Sequence, residues 1–145
     1  MKAELDALLC ERYPAIFSER RNSMKQTAMC WGFECGDGWF ALIEALCAKL
    51  QALSEQKDSV QVVASQVKEK FGGLRFYVRC ATDAQYEEID LAEQVSMRIC
   101  EECGQPGQRV VNGGWLMVRC QMHTPAKAIT EAEYLARLEA RKPKA

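Results

Sequence analysis

The chain has 145 residues, of which 48% are hydrophobic and 27% are charged, and its formal net charge is −1. A chain of this length buries roughly 68–70% of its unfolded surface and can form a real core. The small net charge gives no overall attraction to nucleic acid or to an anionic membrane. No stretch approaches the ~20 apolar residues of a membrane span, and the N-terminal segment lacks the apolar core of a signal peptide. We therefore expect a cytoplasmic protein with no membrane partner.

The N-terminal part of the chain is predicted to contain two helices separated by an irregular segment. Leucines at i, i+3 and i+4 indicate a short helix over residues 3–12, which ends at a Tyr-Pro pair. Residues 14–30 are polar and show no periodicity. The strongest helical pattern covers residues 38–53, and Asp37 stands where an N-cap residue would satisfy free N–H groups.

The middle of the chain predicts a hairpin followed by a helix. One strand begins at Val60, and a second, over residues 74–80, alternates strictly between apolar and polar side chains. A Gly-Gly pair at 72–73 separates them, as expected for an antiparallel hairpin. Residues 82–99 begin with the Thr-x-x-Gln pattern of a capping box and predict an acidic helix.

The C-terminal part predicts a second hairpin and a last helix. The hairpin covers residues 108–119 and turns at an Asn-Gly-Gly tripeptide, and a capping box at Thr130 starts a helix that stops before Pro143. We therefore predict an α+β fold in one compact unit. Residues 1–99 form a body of helices on a small antiparallel sheet, and residues 100–145 form a zinc-ribbon or treble-clef-like module with the last helix.

The most informative pattern is a Cys-x-x-Cys pair followed, after sixteen residues, by a Cys-x-x-His pair: Cys100, Cys103, Cys120 and His123. Each pair places two ligands on one tight turn, and Gly104 tolerates the positive φ that such a turn needs. Four protein ligands complete the tetrahedron of zinc and leave no position for water or substrate, so the spacing predicts one structural Zn²⁺. A reduced core cysteine pair beside an unrelated histidine is the alternative. Because Pro125 would disturb a helix starting at Cys120, we favour two facing zinc knuckles.

The remaining cysteines leave a second, all-thiolate metal site open. Cys30 and Cys35 are close in sequence and could combine with Cys10, Cys47 or Cys80. However, there is no second Cys-x-x-Cys pair, and a free cysteine on an apolar face behaves as a small hydrophobe. We therefore favour core positions for Cys47 and Cys80.

An active site is difficult to assemble from this sequence. The single histidine is assigned to the metal, which removes Ser/His and Cys/His nucleophile pairs, and Walker A, GxGxxG and HExxH patterns are absent. Asp37, in the CGDGW segment, or Glu34 remains as an acid/base candidate. A tight turn permitted by glycine, with Asp37 capping the helix, explains the same residues more simply. We therefore expect a protein that is not an enzyme.

Charge is distributed unevenly along the middle of the chain. Residues 60–80 contain four basic residues against one acidic residue, whereas residues 82–102 contain seven acidic residues against one basic residue. Neutralisation of the basic segment by the acidic helix that follows it is the simpler hypothesis. The basic segment could instead form a nucleic-acid or partner face through Lys68, Lys70, Arg75, Tyr77 and Arg79. The acidic residues Glu87, Glu88 and Asp90 could occupy the basic groove of a partner.

Three blocks of the chain, CGDGWFALIEALC, VKEKFGGLRFYV and ICEECGQPG, resemble a family of small uncharacterised proteins encoded by bacteriophages, prophages and some bacterial genomes. The blocks span residues 35–107, and the Cys-x-x-His pair extends the similarity to His123. The resemblance implies a phage or bacterial intracellular setting and supports zinc binding, but it supplies no activity.

These patterns lead us to expect a zinc-stabilised, non-enzymatic binding protein. Small phage proteins often bind a host machine, so we expect a modulator or inhibitor of a host or anti-phage defence complex, such as CRISPR–Cas. Apolar contacts with the partner are expected around Trp115 and Met117, while the acidic helix sets the association rate. The alternative is a nucleic-acid-binding zinc-ribbon protein that uses the basic segment.

Overall fold

The computed structural model describes residues 1–141, which form four helices and two three-stranded sheets. In chain order the helices are α1 (Ala3–Arg12), α2 (Phe40–Ser54), α3 (Asp83–Ser96) and α4 (Glu131–Ala140). The strands are β1 (Phe33–Glu34), β2 (Ala64–Glu69), β3 (Leu74–Val78), β4 (Gln108–Asn112), β5 (Trp115–Arg119) and β6 (Ile129–Thr130). The predicted α+β class is confirmed, and the predicted stop of the last helix at Pro143 lies outside the described residues. No helix in residues 1–141 is long and apolar enough to cross a membrane.

Both predicted capping boxes are present, because each threonine and the residue three positions later satisfy each other's backbone N–H group. Thr82 donates its N–H to Oε1 of Gln85 (2.8 Å), and Thr130 donates its N–H to Oε2 of Glu133 (2.8 Å). Gln85 is also fully buried, and its Nε2 donates to the carbonyl oxygen of Val60 (2.9 Å). The start of α3 is thereby joined to the segment that follows α2.

The start of α2 differs from the prediction. A 3-10 turn over Asp37–Trp39 precedes the helix, and Asp37 lies inside this turn and does not cap α2. Its carboxylate instead accepts a hydrogen bond from the Lys2 amide (2.7 Å) and pairs with the Lys2 ammonium (3.2 Å). The pKa of Asp37 is lowered, mainly by the hydrogen bond from the Lys2 amide and to a smaller extent by the Lys2 ammonium. Asp37 therefore connects the start of α1 to the segment before α2.

The first sheet is mixed, with the order β1-β2-β3. β2 and β3 pair antiparallel, as predicted, although β2 begins at Ala64 and not at Val60. The tip is a two-residue turn of the I′ type, because Phe71 (φ 55°) and Gly72 (φ 72°) both have positive φ. β1 was not predicted, and it pairs parallel to β2 through Phe33 and Val67.

One hydrophobic core joins this sheet to helices α1, α2 and α3. It contains residues of α2, such as Ile43 and Leu50, together with Val67 and Phe76 of the sheet. Segment 14–30 also contributes to the core, because Ile16, Phe17 and Met29 are buried in the same cluster. The prediction that this segment is polar was therefore wrong for these three residues. The segment therefore packs against the sheet although it contains no α-helix or strand.

Helix α3 covers the free edge of the sheet at β3. Leu74 donates its N–H to the Ser96 hydroxyl (2.9 Å), and Phe76 donates its N–H to the Glu93 carboxylate (2.9 Å). An uncovered edge would leave these donors available to another chain. Side chains of α3 therefore complete the hydrogen bonding of β3.

The second sheet has the order β5-β4-β6 and contains the predicted hairpin over residues 108–119. Its turn, formed by Gly113 (φ 57°) and Gly114 (φ 89°), is also of the I′ type. β6 pairs with β4 immediately before α4 begins. In sequence, the hairpin of β4 and β5 therefore lies between the two predicted metal-binding turns, and β6 lies between the second turn and α4.

Candidate metal centre

The four predicted ligands converge, although they come from two separate turns. Nδ1 of His123 lies 3.2 Å from Sγ of Cys120 and 3.7 Å from Sγ of Cys100, and Sγ of Cys103 lies 3.7 Å from Sγ of Cys120. All four donor atoms lie within 4.8 Å of one another. Thiolate bonds of about 2.3 Å give tetrahedral S–S edges of about 3.8 Å, so the cluster can hold one metal ion. Within residues 1–141, this is the one group of three or more metal-ligating side chains found together.

Backbone hydrogen bonds shape both turns. In the first turn, Gly104 donates its N–H to the carbonyl oxygen of Cys100 (2.8 Å), and its φ of 76° confirms the predicted need for a left-handed residue. In the second turn, His123 and Thr124 both donate their N–H groups to the carbonyl oxygen of Cys120 (3.1 and 3.0 Å). No helix begins at Cys120, as expected from Pro125.

The CGDGW segment packs directly against the first turn, and its glycines permit this contact. A Cβ on Gly38 would lie 2.6 Å from the amide nitrogen of Cys103 and still closer to the carbonyl oxygen of Cys100. A Cβ on Gly36 would lie 2.8 Å from Cγ of Glu101. Neither glycine has a positive φ. They are therefore required by the close approach of two backbones and not by the tight turn that the sequence suggested.

Glu101, which lies between the two cysteines of the first turn, connects that turn to the body. Its carbonyl oxygen accepts the N–H of Gly38 (2.8 Å), and its Oε1 accepts the N–H of Gly36 (3.0 Å). Its Oε2 pairs with Arg119 (2.9 Å), the residue directly before Cys120. The side chains of Glu101 and Arg119 are only 13% and 14% exposed. Glu101 thus links both metal-binding turns and the CGDGW segment.

The environment of the cluster favours a thiolate at Cys120. Desolvation acts to raise the pKa of this thiol, but hydrogen bonds with His123 and with the neighbouring thiols outweigh it and lower the pKa to about 6. The pKa of Cys103 is raised: the Gln105 amide acts to lower it, but desolvation and the neighbouring thiols dominate. Thiolates that repel one another need a cation between them, so the donor set fits a divalent metal.

The other five cysteines do not form a second site in the described part of the chain. Cys30 and Cys35 are not brought together with Cys10, Cys47 or Cys80 in any cluster of three ligands. Burial raises the pKa of Cys10 to about 11 and that of Cys35 to about 12, and it also raises the pKa of Cys47. These three are poor thiolate ligands at neutral pH, in agreement with core positions. Cys80, in contrast, is exposed, so its predicted apolar environment was wrong.

The two acid/base candidates do not meet in a catalytic arrangement. Asp37 is engaged by Lys2. Glu34 is exposed on β1 and accepts a hydrogen bond from Gln66 (3.0 Å). Neither belongs to the metal cluster.

The arginines of the predicted basic face are occupied by carboxylates. Arg75 pairs with Glu93 of α3 (3.2 Å), so the predicted neutralisation by the acidic helix is confirmed for this residue. For Arg79 that prediction was wrong, because it pairs with Glu19 through two hydrogen bonds of 2.9 Å. The guanidinium of Arg79 lowers the pKa of Glu19. A phosphate would therefore have to compete with these carboxylates for both guanidinium groups.

The other three residues of that face remain accessible. Lys68 is opposite Arg75 in the sheet, and its ammonium lies 5.8 Å from the ring centre of Tyr77, which is 39% exposed. Lys70 lies 5.5 Å from the ring centre of Phe71. Cations at these distances from aromatic rings make cation–π contacts.

The proposed partner contacts lie in two places. Glu87 and Asp90 are exposed on α3, whereas Glu88 pairs with Lys49 (3.6 Å). In the second sheet, Trp115 is 77% exposed at the tip of the hairpin, and Met117 is partly exposed in β5.

Phe71 is the surface residue that the sequence analysis missed. It is 71% exposed at the tip of the first hairpin and has a φ of 55°, which is unusual for a bulky residue. Asparagine is the preferred residue at this position of a I′ turn, so an aromatic directly before the Gly-Gly pair was an available signal.

Comparisons of the chain with protein-family models, with curated proteins and with solved structures gave no match.

Proposed function

We propose that the chain is a zinc-stabilised, non-enzymatic binding protein, with Zn²⁺ held by Cys100, Cys103, Cys120 and His123. The observation that carries this proposal is the convergence of three thiols and one imidazole within 4.8 Å. Thiolate and imidazole ligands suit zinc, and four protein ligands leave no open position for a substrate. Two turns joined by a hairpin, without a helix at Cys120, support a zinc-ribbon-like module.

The proposed partner is a protein. The pairing of Arg75 and Arg79 with carboxylates supports this choice, because nucleic-acid affinity depends on cations that are free to neutralise phosphates. The exposed Trp115 supports it as well, because tryptophan is enriched among the residues that dominate binding energy at protein interfaces. From the resemblance of the three sequence blocks, we propose a phage-encoded modulator or inhibitor of a host or anti-phage defence complex in the bacterial cytoplasm.

Metal analysis of purified variants tests the site. We expect about one zinc per chain in the wild type and almost none in the double variant Cys103→Ser plus Cys120→Ser. Cys80→Ser is the matched control, because Cys80 is exposed and lies outside the cluster. Unchanged zinc in the double variant would refute the assignment, whereas about two zincs per chain would require a second site.

Chelation tests whether the metal is structural. Removal of zinc should lower the thermal stability and increase hydrogen exchange over residues 98–125, because metal binding contributes directly to folding. Unchanged protection of that segment in the stripped protein would show that the metal does not hold the fold.

Nucleic-acid binding is the second candidate, favoured by the two lysines that stand beside exposed aromatic rings. Fluorescence anisotropy with labelled DNA and RNA at about 0.15 M salt decides between the candidates, since phosphate-driven binding weakens steeply with salt. Sub-micromolar affinity that is lost in Arg75→Ala plus Arg79→Ala would place nucleic acid first.

A further inference from the structure

The tips of the two hairpins meet and form an exposed aromatic groove. Phe71 of the first tip and Trp115 of the second are 71% and 77% exposed. Together with Gly114 and Leu116 they line a groove of about 400 Å³. Below the groove, Gly72 is buried against Leu116, since a Cβ on Gly72 would lie 3.0 Å from Cγ of Leu116. The two tips are therefore in direct contact, and the aromatic residues have a defined relative position.

Phe71 is held at the groove in a conformation that its own residue type disfavours. Its φ of 55° costs energy for a bulky side chain, and its exposed ring gains little from burial. The turn is also fixed from the second module, because Arg109 donates from Nη2 to the carbonyl oxygen of Phe71 (3.3 Å) while pairing with Glu131 (3.1 Å). Backbone strain of this kind concentrates at binding sites, where the surrounding structure maintains it.

The charged groups around the groove leave it positive. Among the described residues, neither Lys68 nor Lys70 forms an ion pair, whereas the nearby Arg75 and Arg109 are both paired. The carboxylate of Glu69 accepts the N–H of Gly72 (2.6 Å) and is thereby held in the turn. Lys70 therefore places an unpaired ammonium group beside Phe71, and Lys68, two positions earlier in β2, places a second one beside Tyr77.

We propose that this tip surface, formed by Phe71, Trp115, Leu116, Lys68 and Lys70, binds a segment of a partner protein. The segment inserts one large apolar side chain between the rings of Phe71 and Trp115 and places carboxylates beside Lys68 and Lys70. An apolar anchor accounts for the exposed rings, and acidic flanks complement the two unpaired lysines. This inference rests on the proposed function, because it specifies where the protein partner binds and with what chemistry.

Selection from a random 12-residue peptide library displayed on filamentous phage, with the zinc-loaded full-length protein as bait, tests the proposal. We expect enrichment of peptides in which one aromatic or large aliphatic residue is flanked by Asp or Glu. A selected peptide is then labelled with fluorescein, and its dissociation constant is measured by anisotropy at two salt concentrations. Failure to enrich peptides of this composition would overturn the proposal.

Three variants locate the binding site on the protein. Phe71→Asn suits the I′ turn, and Trp115→Thr suits a strand end, so both should fold. We expect the double variant Phe71→Asn plus Trp115→Thr to weaken peptide binding at least about tenfold. Lys68→Gln plus Lys70→Gln should weaken binding about threefold and reduce its salt dependence. Tyr86→Ala is the control, because Tyr86 is 45% exposed near the start of α3, away from the tips.

The outcomes separate this inference from the proposed function. Peptide binding that is unchanged in the aromatic double variant would overturn the tip surface and leave a protein-binding function elsewhere on the molecule. Binding of labelled oligo(dT) of 20 nucleotides, at about 0.15 M salt and lost in the same variant, would overturn both in favour of nucleic acid. Zinc content equal to that of the wild type in every variant shows that the metal module is intact.

Discussion

Replacement of Gly38 by alanine should displace the first metal-binding turn from the body of the protein. The added Cβ would lie within 2.6 Å of three backbone atoms, namely the carbonyl oxygen of Cys100 and the amide nitrogens of Cys103 and Gly104. Overpacking costs about 1–3 kcal/mol where side chains can adjust. Here the backbone that carries two metal ligands must move, so we expect a loss of about 3 kcal/mol in the free energy of unfolding.

Chemical denaturation of the zinc-loaded protein, followed by tryptophan fluorescence, measures this loss. For a chain of this length, 3 kcal/mol corresponds to a decrease of about 10 °C in Tm. Displacement of residues that support metal ligands typically weakens metal binding by about 10–100-fold, so competition with a chelator should release zinc more readily from the variant.

Gly73→Ala is the matched control for Gly38→Ala. Gly73 is also buried, but its Cβ would meet only the flexible end of Arg75 at 3.3 Å and other side-chain atoms beyond that distance. We expect its stability to change by less than about 1 kcal/mol. The reasoning is refuted if Gly38→Ala retains zinc affinity and unfolds within about 1 kcal/mol of the wild type.

Three further substitutions test separate parts of the structure. Phe71→Asn should raise stability by about 1 kcal/mol in a thermal melt, because asparagine tolerates the left-handed turn; a lower Tm would show that the turn is not strained. Glu101→Gln should lower stability by about 2 kcal/mol, because it weakens the hydrogen bond to Gly36 and leaves the nearly buried Arg119 with Glu102 as its remaining carboxylate partner; urea unfolding with little change would contradict that role. Arg79 lowers the pKa of Glu19, so this pair stabilises the fold at pH values above 4.5, the usual pKa of a glutamate side chain. The stabilisation is lost as the pH falls through the lower pKa that Glu19 has in the folded protein. The stability difference between wild type and Glu19→Gln should therefore shrink from about pH 6 to about pH 3 in paired melts, and a constant difference would contradict the shift.

Features encoded by neighbouring residues could be predicted from the sequence. The capping boxes at Thr82 and Thr130 and the hairpins that turn at residues 71–72 and 113–114 depend on contacts within a few positions. The metal cluster was predictable for the same reason, since each turn supplies two ligands at local spacing. The local spacing does not by itself show that the two turns lie close together. A metal ion shared by both turns requires them to do so.

Features that depend on distant pairs could not be predicted in this way. β1 has only two residues, and its pairing with β2 joins positions 34 apart, so no periodic pattern marks it. Arg79 was expected to pair with the acidic helix nearby, but segment 14–30 packs across the sheet and supplies Glu19. The contact between Gly38 and the first metal-binding turn spans more than sixty positions, and the same glycine-rich sequence would suit an ordinary turn.

The positions of the metal cluster and the aromatic groove indicate how a metal ion held by the cluster would support the proposed binding at the groove. The first turn is already held to the body by Gly38 and Glu101, whereas Cys120 follows directly from β5, the strand that carries Trp115 at its other end. Five strand residues span roughly 17 Å, so a ligand at Cys120 fixes one end of β5 while the other end presents Trp115 to solvent. A metal that joins Cys120 to the body-bound Cys100 therefore restricts the whole hairpin. The entropic cost of ordering the groove would then be met during folding and metal binding, and it would not reduce the affinity for a partner.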